Sequence, residues 1–332
     1  MDLGEDARIL VTGGAGFLGS ALVIALLARG CRVVVLDDLS NGLADNLPIG
    51  EHDGRLSLRV AKVGDPQTLG LVDEEVGRAD GVFHLASPIG VLRAHSERLA
   101  VTGSILASGL AIVGACGRHR KPLLYTSSSE VYGPGQADPI GEDSPVLFDL
   151  RPRWGYAASK AAVEHLVAGL ASDEDVPAWI VRPFNMSGAR QRPTTGQVIP
   201  LFAAAALRGE PLVIHDDGEQ QRAFLHVEDA VAGLMGVVRC PALRGLPVNL
   251  GGEKPVQIRE LARLVQKAVG GSVAMVNRPS AAVFGKDFAV TRDRIPDTRR
   301  LRTATGWRPL RSVEETVDDC VEHLRTLQVE AA

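Results

Sequence analysis

An apolar run, Arg8 to Val11, leads straight into Thr12-Gly13-Gly14-Ala15-Gly16-Phe17-Leu18-Gly19, and a helical stretch follows to about Arg29. Few local sequences leave a chain less choice of fold. Each glycine answers a separate steric demand: Gly13 permits the tight turn after a strand, Gly16 lets backbone amides approach a pyrophosphate, and Gly19 lets the helix pack closely on the sheet. The next strand, Arg32 to Leu36, closes on Asp37. A carboxylate there accepts hydrogen bonds from both ribose hydroxyls and repels a 2′-phosphate, so the pattern calls for NAD rather than NADP.

Short apolar runs keep alternating with helical stretches beyond this unit, the rhythm of βαβ crossovers that build a parallel sheet. Further strands are expected at Leu56 to Val60, Gly81 to Leu85, Leu123 to Thr126 and Trp179 to Arg182, with helices near 68–77, 98–118 and 156–171. Gly30 is placed to end the first helix, since glycine accepts the left-handed cap. After Arg182 the rhythm breaks, and glycine, proline and arginine crowd 183–196 and 209–218, as in loops that clasp a ligand. The expectation is an α/β protein: a Rossmann-type doubly wound parallel sheet over 1–182, and a smaller mixed α/β substrate domain over 183–332. Helices at Glu228 to Val238 and Ile258 to Val269 belong to the second region, and the chain is free to cross back between the two.

The 332 residues suffice for both units, and the formal charge of −4, without a basic block, speaks against nucleic acid as a partner. The apolar run Ala21 to Ala28 is too short to span a bilayer and continues the glycine motif, so the expected setting is cytoplasmic, with no membrane partner. Cys31, Cys116, Cys240 and Cys320 are scattered without a C-x-x-C or a histidine pair, which indicates neither a metal site nor a disulfide framework. Buried thiols are the simpler reading.

The chemistry lies downstream. Tyr156-Ala-Ala-Ser-Lys160 puts a phenol and an ammonium four residues apart on one helix face, where the ammonium can favour the phenolate and bring the phenol into general-base range. Upstream, Ser127-Ser128-Ser129-Glu130-Val131-Tyr132-Gly133 supplies hydroxyls and a second acid/base group. The glycine turn, this serine segment and the Tyr-Lys pair fall in the order that a single redox site acting on a sugar carbon would need.

Together with Leu36 to Gly42, Phe83 to Pro88, Arg182 to Asn185 and Asp217 to Ala230, these motifs make the chain similar, over nearly its whole length, to the extended short-chain dehydrogenase/reductase superfamily. It most resembles the NAD-dependent nucleotide-sugar epimerases, dehydratases and decarboxylases. The resemblance makes Tyr156 the base that takes the proton from a sugar hydroxyl at C4, Lys160 its activator, and Ser128 the hydroxyl that orients the sugar oxygen. It sets Gly13, Gly16, Phe17, Leu18, Gly19, Asp37, Asn41, Leu85, Ala86, Tyr156, Lys160 and Pro183 against NAD. Against a UDP-sugar it sets Ser129, Asn185, Arg192, Val198, Arg222 and Arg294, with Phe184 beside the nicotinamide. It further implies a homodimer formed through the helices near 105–115 and 157–171, whose apolar faces fit internal core equally well.

Some positions depart from the family pattern. Lys62 stands where relatives carry an acid near the adenine, Ile105 where many carry an asparagine, and His215 where an aromatic ring often stacks on uracil. His84 and His226 read as structural residues, and Trp307 as a packing anchor. Glu130 decides the reaction, because a simple 4-epimerase needs no carboxylate there. Serine before the glutamate resembles the UDP-glucuronate decarboxylases, whereas an Asp-Glu pair would mark a 4,6-dehydratase. Arg294 in Arg294-Ile295-Pro296-Asp297 matches the decarboxylases, and Arg192 matches the carboxylate-binding arginine of UDP-glucuronate 4-epimerases. The expected reaction is therefore decarboxylation of UDP-glucuronic acid through a 4-keto intermediate to UDP-xylose or UDP-4-keto-xylose, with Ser128, Glu130, Tyr156 and Lys160 as catalytic residues. The rivals are UDP-glucuronate 4-epimerase and nucleotide-sugar 4,6-dehydratase.

Overall fold

A computed structural model describes residues 1–52, 54–88, 90, 93, 96–134, 139–284 and 293–330. Its centre is a seven-stranded sheet made of β1 (Arg8–Thr12), β2 (Arg32–Asp37), β3 (Leu56–Val60), β4 (Gly81–His84), β5 (Leu123–Thr126), β6 (Ala178–Pro183) and β11 (Pro247–Leu250). Every pairing is parallel, in the spatial order β3-β2-β1-β4-β5-β6-β11. The chain winds outward in both directions from β1 and β4, so a crevice opens between their carboxyl ends, where a doubly wound sheet binds its ligand.

The strands bury alternate residues in two cores, as the period of a strand between two helix layers demands. Ile9, Val11, Val33, Val35, Trp179 and Val181 face one layer, formed by α1 (Phe17–Leu27) and α6 (Val227–Val237). Leu10, Val34, Leu36, Ala178 and Ile180 face the other, formed by α2 (Leu69–Arg78), α3 (Arg98–His119) and α4 (Trp154–Ser172). Helix α3 is long and apolar enough to cross a bilayer by length and composition, yet Val101, Ile105, Ile112, Ala115 and Cys116 pack it into this second core. The first helix ends at Leu27, and Gly30 takes the left-handed conformation three residues later at φ +82°.

A third core joins α5 (Val198–Leu207), α7 (Ile258–Val269) and α10 (Val313–Glu330) through Phe202, Leu261, Val265, Val317 and Val321. Two-stranded pairs tie it to the main body: β7 (Met186–Ser187) with β10 (Leu225–His226), β8 (Leu212–His215) with β13 (Met275–Arg278), and β9 (Gln221–Ala223) with β12 (Pro255–Gln257). Short helices α8 (Ser280–Phe284) and α9 (Arg299–Thr305) complete the chain. The sequence reading placed no strand at 247–250, yet β11 returns to the main sheet beside β6. Cys31, Cys116 and Cys320 are buried free thiols, and Cys240 is a half-buried one. Trp307 is buried against the first core and donates its indole N–H to the Asp229 carbonyl at 2.9 Å.

Candidate active site

Gly13 holds φ +72°, and a side chain on it would come within 2.7 Å of the Ala86 nitrogen. A side chain on Gly19 would collide with the Gly13 carbonyl. The protein itself therefore requires both residues to be bare. Gly16 differs: an added Cβ would meet only the Gly13 oxygen, at 3.3 Å, and the residue lines the cleft. Bare backbone at Gly16 leaves room for a pyrophosphate drawn close to the amides that open α1. Phe17 and Leu18, half-buried, form the first turn of this helix.

Asp37 ends β2 and is buried at the cleft wall. Its Oδ2 accepts from the Ala15 amide at 3.0 Å and its Oδ1 from the Leu39 amide at 2.9 Å, so the carboxylate is fixed in place. Burial raises its pKa, and the two amide bonds oppose the rise. Asn41, Leu85 and Ala86 line the same cleft, joined by Lys62, Ser87, Ser104 and Ser108. Ile105 lies in the core beneath, so the serines on either side of it, not Ile105, face the cleft. His84 is structural: its Nδ1 bonds the Thr12 hydroxyl at 2.7 Å and its ring stacks on Tyr125. His226 is structural too, with Nδ1 accepting the Glu228 amide at the start of α6.

Helix α4 carries Tyr156 and Lys160 beneath the carboxyl end of β5. Tyr156 shares hydrogen bonds with the hydroxyls of Ser87 and Ser128. Ser128 in turn accepts the Glu130 amide at 3.1 Å, which starts the short 3-10 turn Ser129–Tyr132. The Lys160 ammonium donates to the Thr126 carbonyl at 2.8 Å and lies 4.9 Å over the Tyr125 ring and 5.9 Å over the Tyr156 ring.

In the protein without ligand, burial pushes the Tyr156 phenol up to about 12, and the nearby Glu130 charge pushes it the same way. Burial lowers Lys160 to about 7, with the Glu164 carboxylate opposing the fall. The helix spacing aligns the pair, but the dry surroundings disfavour both charged forms.

Glu130 stands next to this pair. Its Oε1 is ion-paired with Arg294 Nη1, and its Oε2 lies 3.5 Å from Arg153 Nη2. Burial alone would raise its pKa, but Arg294 and then Arg153 reverse the sign and hold it below the usual range. It is a fixed carboxylate. Arg294 also donates to the Gly133 carbonyl at 3.1 Å, and its backbone bridges that of Arg222. Arg222 Nη1 donates to the Gln221 carbonyl, and burial followed by repulsion from Arg294 lowers its pKa to about 10. Arg294 and Arg153 hold this carboxylate, with Arg222 close enough to feel both Glu130 and Asp293, and a cluster of guanidiniums of this kind suits an anionic ligand.

A buried polar network sets the distance between these groups. Glu164, one turn beyond Lys160, receives Arg182 on both oxygens, at 2.9 and 2.6 Å. Arg182 also donates to the Tyr132 hydroxyl at 2.9 Å, and Tyr132 donates to Asn249 Oδ1 at 2.7 Å. Asn249 then donates to the Ile140 and Asp297 carbonyls. The base-bearing helix, the Glu130 turn, β11 and the Arg294 segment are thereby braced together.

The remaining candidates scatter around this centre. Ser129 is buried beside Glu130, Pro183 ends β6, Phe184 packs on Tyr132, and half-buried Val198 opens α5. Asn185 Nδ2 is buried and has no hydrogen-bond partner among the described residues. Arg192 turns to the cofactor side, donating to the Asn41 carbonyl at 3.3 Å. His215 ends β8, half-buried.

A family model for the NAD dependent epimerase/dehydratase family matches residues 9–251. The chain belongs to this family. Among curated relatives, the UDP-N-acetyl-alpha-D-glucosaminuronate decarboxylase of Bacillus cytotoxicus is 31% identical, over 97% of this chain and 98% of its own. The UDP-glucuronic acid decarboxylase 1 of Xenopus tropicalis is 29% identical, over 97% and 73% respectively. The UDP-glucose 4-epimerase of Mycolicibacterium smegmatis is 33% identical, over 96% and 98%. Among solved structures, an epimerase of Methanothermobacter thermautotrophicus superposes with a TM-score of 0.89 at 25% identity, covering 98% of this chain and 94% of its own. The cofactor of this epimerase/dehydratase fold is NAD, which the Gly16 cradle and the Asp37 wall fit. Sequence reasoning missed Ser87, Ser104, Ser108 and Arg153, because small hydroxyls and a lone arginine carry no local signature.

Proposed function

We propose that the protein catalyses NAD-dependent decarboxylation of UDP-glucuronic acid, through a 4-keto intermediate, to UDP-xylose or UDP-4-keto-xylose. The observation that carries this reading is Glu130, a carboxylate kept ionised by Arg294 and Arg153 within the electrostatic reach of Tyr156. Two decarboxylases acting on UDP-linked uronic acids stand among the relatives at 31 and 29% identity.

NAD, held along the Gly16 turn and the Asp37 wall, would supply the acceptor for the hydride leaving sugar C4 and, where UDP-xylose is the product, the donor for its return. With NAD bound, the positive charge of the nicotinamide ring would favour the Tyr156 phenolate, and Tyr156 in that form takes the proton from O4 while Ser128 holds that oxygen. The ketone so formed lies β to the C6 carboxylate, so the C5–C6 bond breaks and its electron pair enters an enolate between C5 and C4. Carbon dioxide leaves as a neutral molecule. Tyr156, returning its proton's bond to O4, stabilises the enolate oxygen. Glu130 is held too acidic to be the proton donor at C5; its role is to orient and polarise the water that delivers that proton. Arg222 binds the diphosphate. By family resemblance, the working unit is a cytoplasmic homodimer, paired through α3 and α4, where Leu99 and Leu110 are exposed.

Epimerisation at C4 is the second reading, favoured by the 33% identity to a UDP-glucose 4-epimerase. Mass spectrometry and NMR of the sugar nucleotide after incubation with UDP-glucuronate and NAD separate the two. Loss of carbon dioxide supports the decarboxylase. An unchanged mass with a galacto-configured product establishes the epimerase.

A further inference from the structure

Arg153 sits immediately before α4, three residues ahead of Tyr156, and so lies one turn N-terminal to the base on the same helix face. Its side chain is only 11% exposed. The guanidinium lies 4.9 Å from the centre of the Trp154 ring, and Trp154 is itself buried, so the fork is stacked on a rigid platform. From there Nη2 reaches Glu130 Oε2 at 3.5 Å, while Arg294, 6% exposed, grips Oε1 from the opposite side. Two buried guanidiniums from segments far apart in the chain therefore converge on the space next to Tyr156. One of them rides on the helix that carries the base.

We propose that Arg153 is a specificity-determining residue, which with Arg294 forms a two-sided guanidinium clamp selecting sugars that carry a carboxylate on C5. The inference rests on the acidic-sugar reading above and adds to it the residue that discriminates acid from neutral sugar. The geometry makes the selection strict. A carboxylate attached to C5 is the neighbour of the C4 hydroxyl that Tyr156 deprotonates, and Arg153 is fixed one helical turn from Tyr156. A 6-hydroxyl sugar offers no negative charge for the two guanidiniums to bind, so it gains less from them than the acid does.

The test is calorimetric binding of UDP-glucuronate and of UDP-glucose to protein loaded with NADH, which cannot take the hydride and so leaves the acid intact, for the wild type, Arg153→Gln and Arg153→Lys. The wild type should prefer the acid. Arg153→Gln should weaken UDP-glucuronate at least about 10-fold, as loss of one charged hydrogen bond predicts, and UDP-glucose by less than about 3-fold. Arg153→Lys, which keeps the charge and the aliphatic stem over Trp154 but not the planar fork, should recover part of the preference. Because the readout is a ratio of two affinities on one preparation, a loss of folded protein does not imitate it. Equal loss for both ligands, unchanged affinity for the acid, or a wild type without preference overturns the inference. A wild type that binds the acid selectively through Arg153 yet releases no carbon dioxide when loaded with NAD would overturn the decarboxylase reading and leave this one standing.

Discussion

Lys160→Met is expected to make the protein more stable at neutral pH while disabling it. The lysine is buried, and its pKa falls from 10.5 to about 7 on folding, chiefly through loss of hydration. Such a shift of about 3.5 units corresponds to roughly 5 kcal/mol of destabilisation wherever both states are protonated, below about pH 7. Methionine removes this cost but also leaves the Thr126 carbonyl without its donor, a loss of about 1–3 kcal/mol. The sign with pH follows from proton counting. Between about pH 7 and 10.5 the unfolded chain holds a proton on Lys160 that the folded chain does not, so wild-type stability gains from rising pH and the variant's does not. From pH 7.5 to 9.5 the advantage of the variant should shrink by about 2.5 kcal/mol. Urea unfolding of both proteins at the two pH values measures it, since taking the difference cancels every other titrating group. A stability gap that stays constant over this range would refute the assignment of Lys160 as a lysine that deprotonates near neutrality.

Glu130→Gln should leave NADH appearance and the first turnover of carbon dioxide on mixing with UDP-glucuronate nearly intact while slowing protonation at C5, and with it steady-state turnover, by about 10²-fold or more; loss of the first-turnover signals would remove Glu130 from its proposed step. Tyr132→Phe deprives Arg182 and Asn249 of a buried partner each and should cost about 1–3 kcal/mol in chemical denaturation, whereas a change below about 0.5 kcal/mol would show the network to be slack. Gly16→Ala should leave the melting temperature nearly unchanged and weaken NAD in a fluorescence titration. Gly19→Ala should instead lower the melting temperature by several degrees, since its methyl would meet the Gly13 carbonyl.

The features legible in the sequence were those that one element satisfies by itself. The steric needs of Gly13 and Gly19, the alternation of Ile9, Leu10 and Val11 between two cores, and the four-residue spacing of Tyr156 and Lys160 all follow from local geometry. Arg294 was also visible, because it sits in a recognisable run with Pro296 and Asp297. Other features required the tertiary structure. The four residues Pro247–Leu250 carry no address, and only an open edge at β6 makes them the seventh strand. Arg153 looks like any surface charge until Trp154 stacks it and Glu130 arrives from the turn after β5. The dryness around Tyr156 and Lys160 was also invisible, since helix spacing aligns two side chains but the water excluded by the surrounding fold sets how costly each charge is. Periodicity and turn chemistry thus determined the frame, while burial and contacts between distant segments decided the electrostatics of the site.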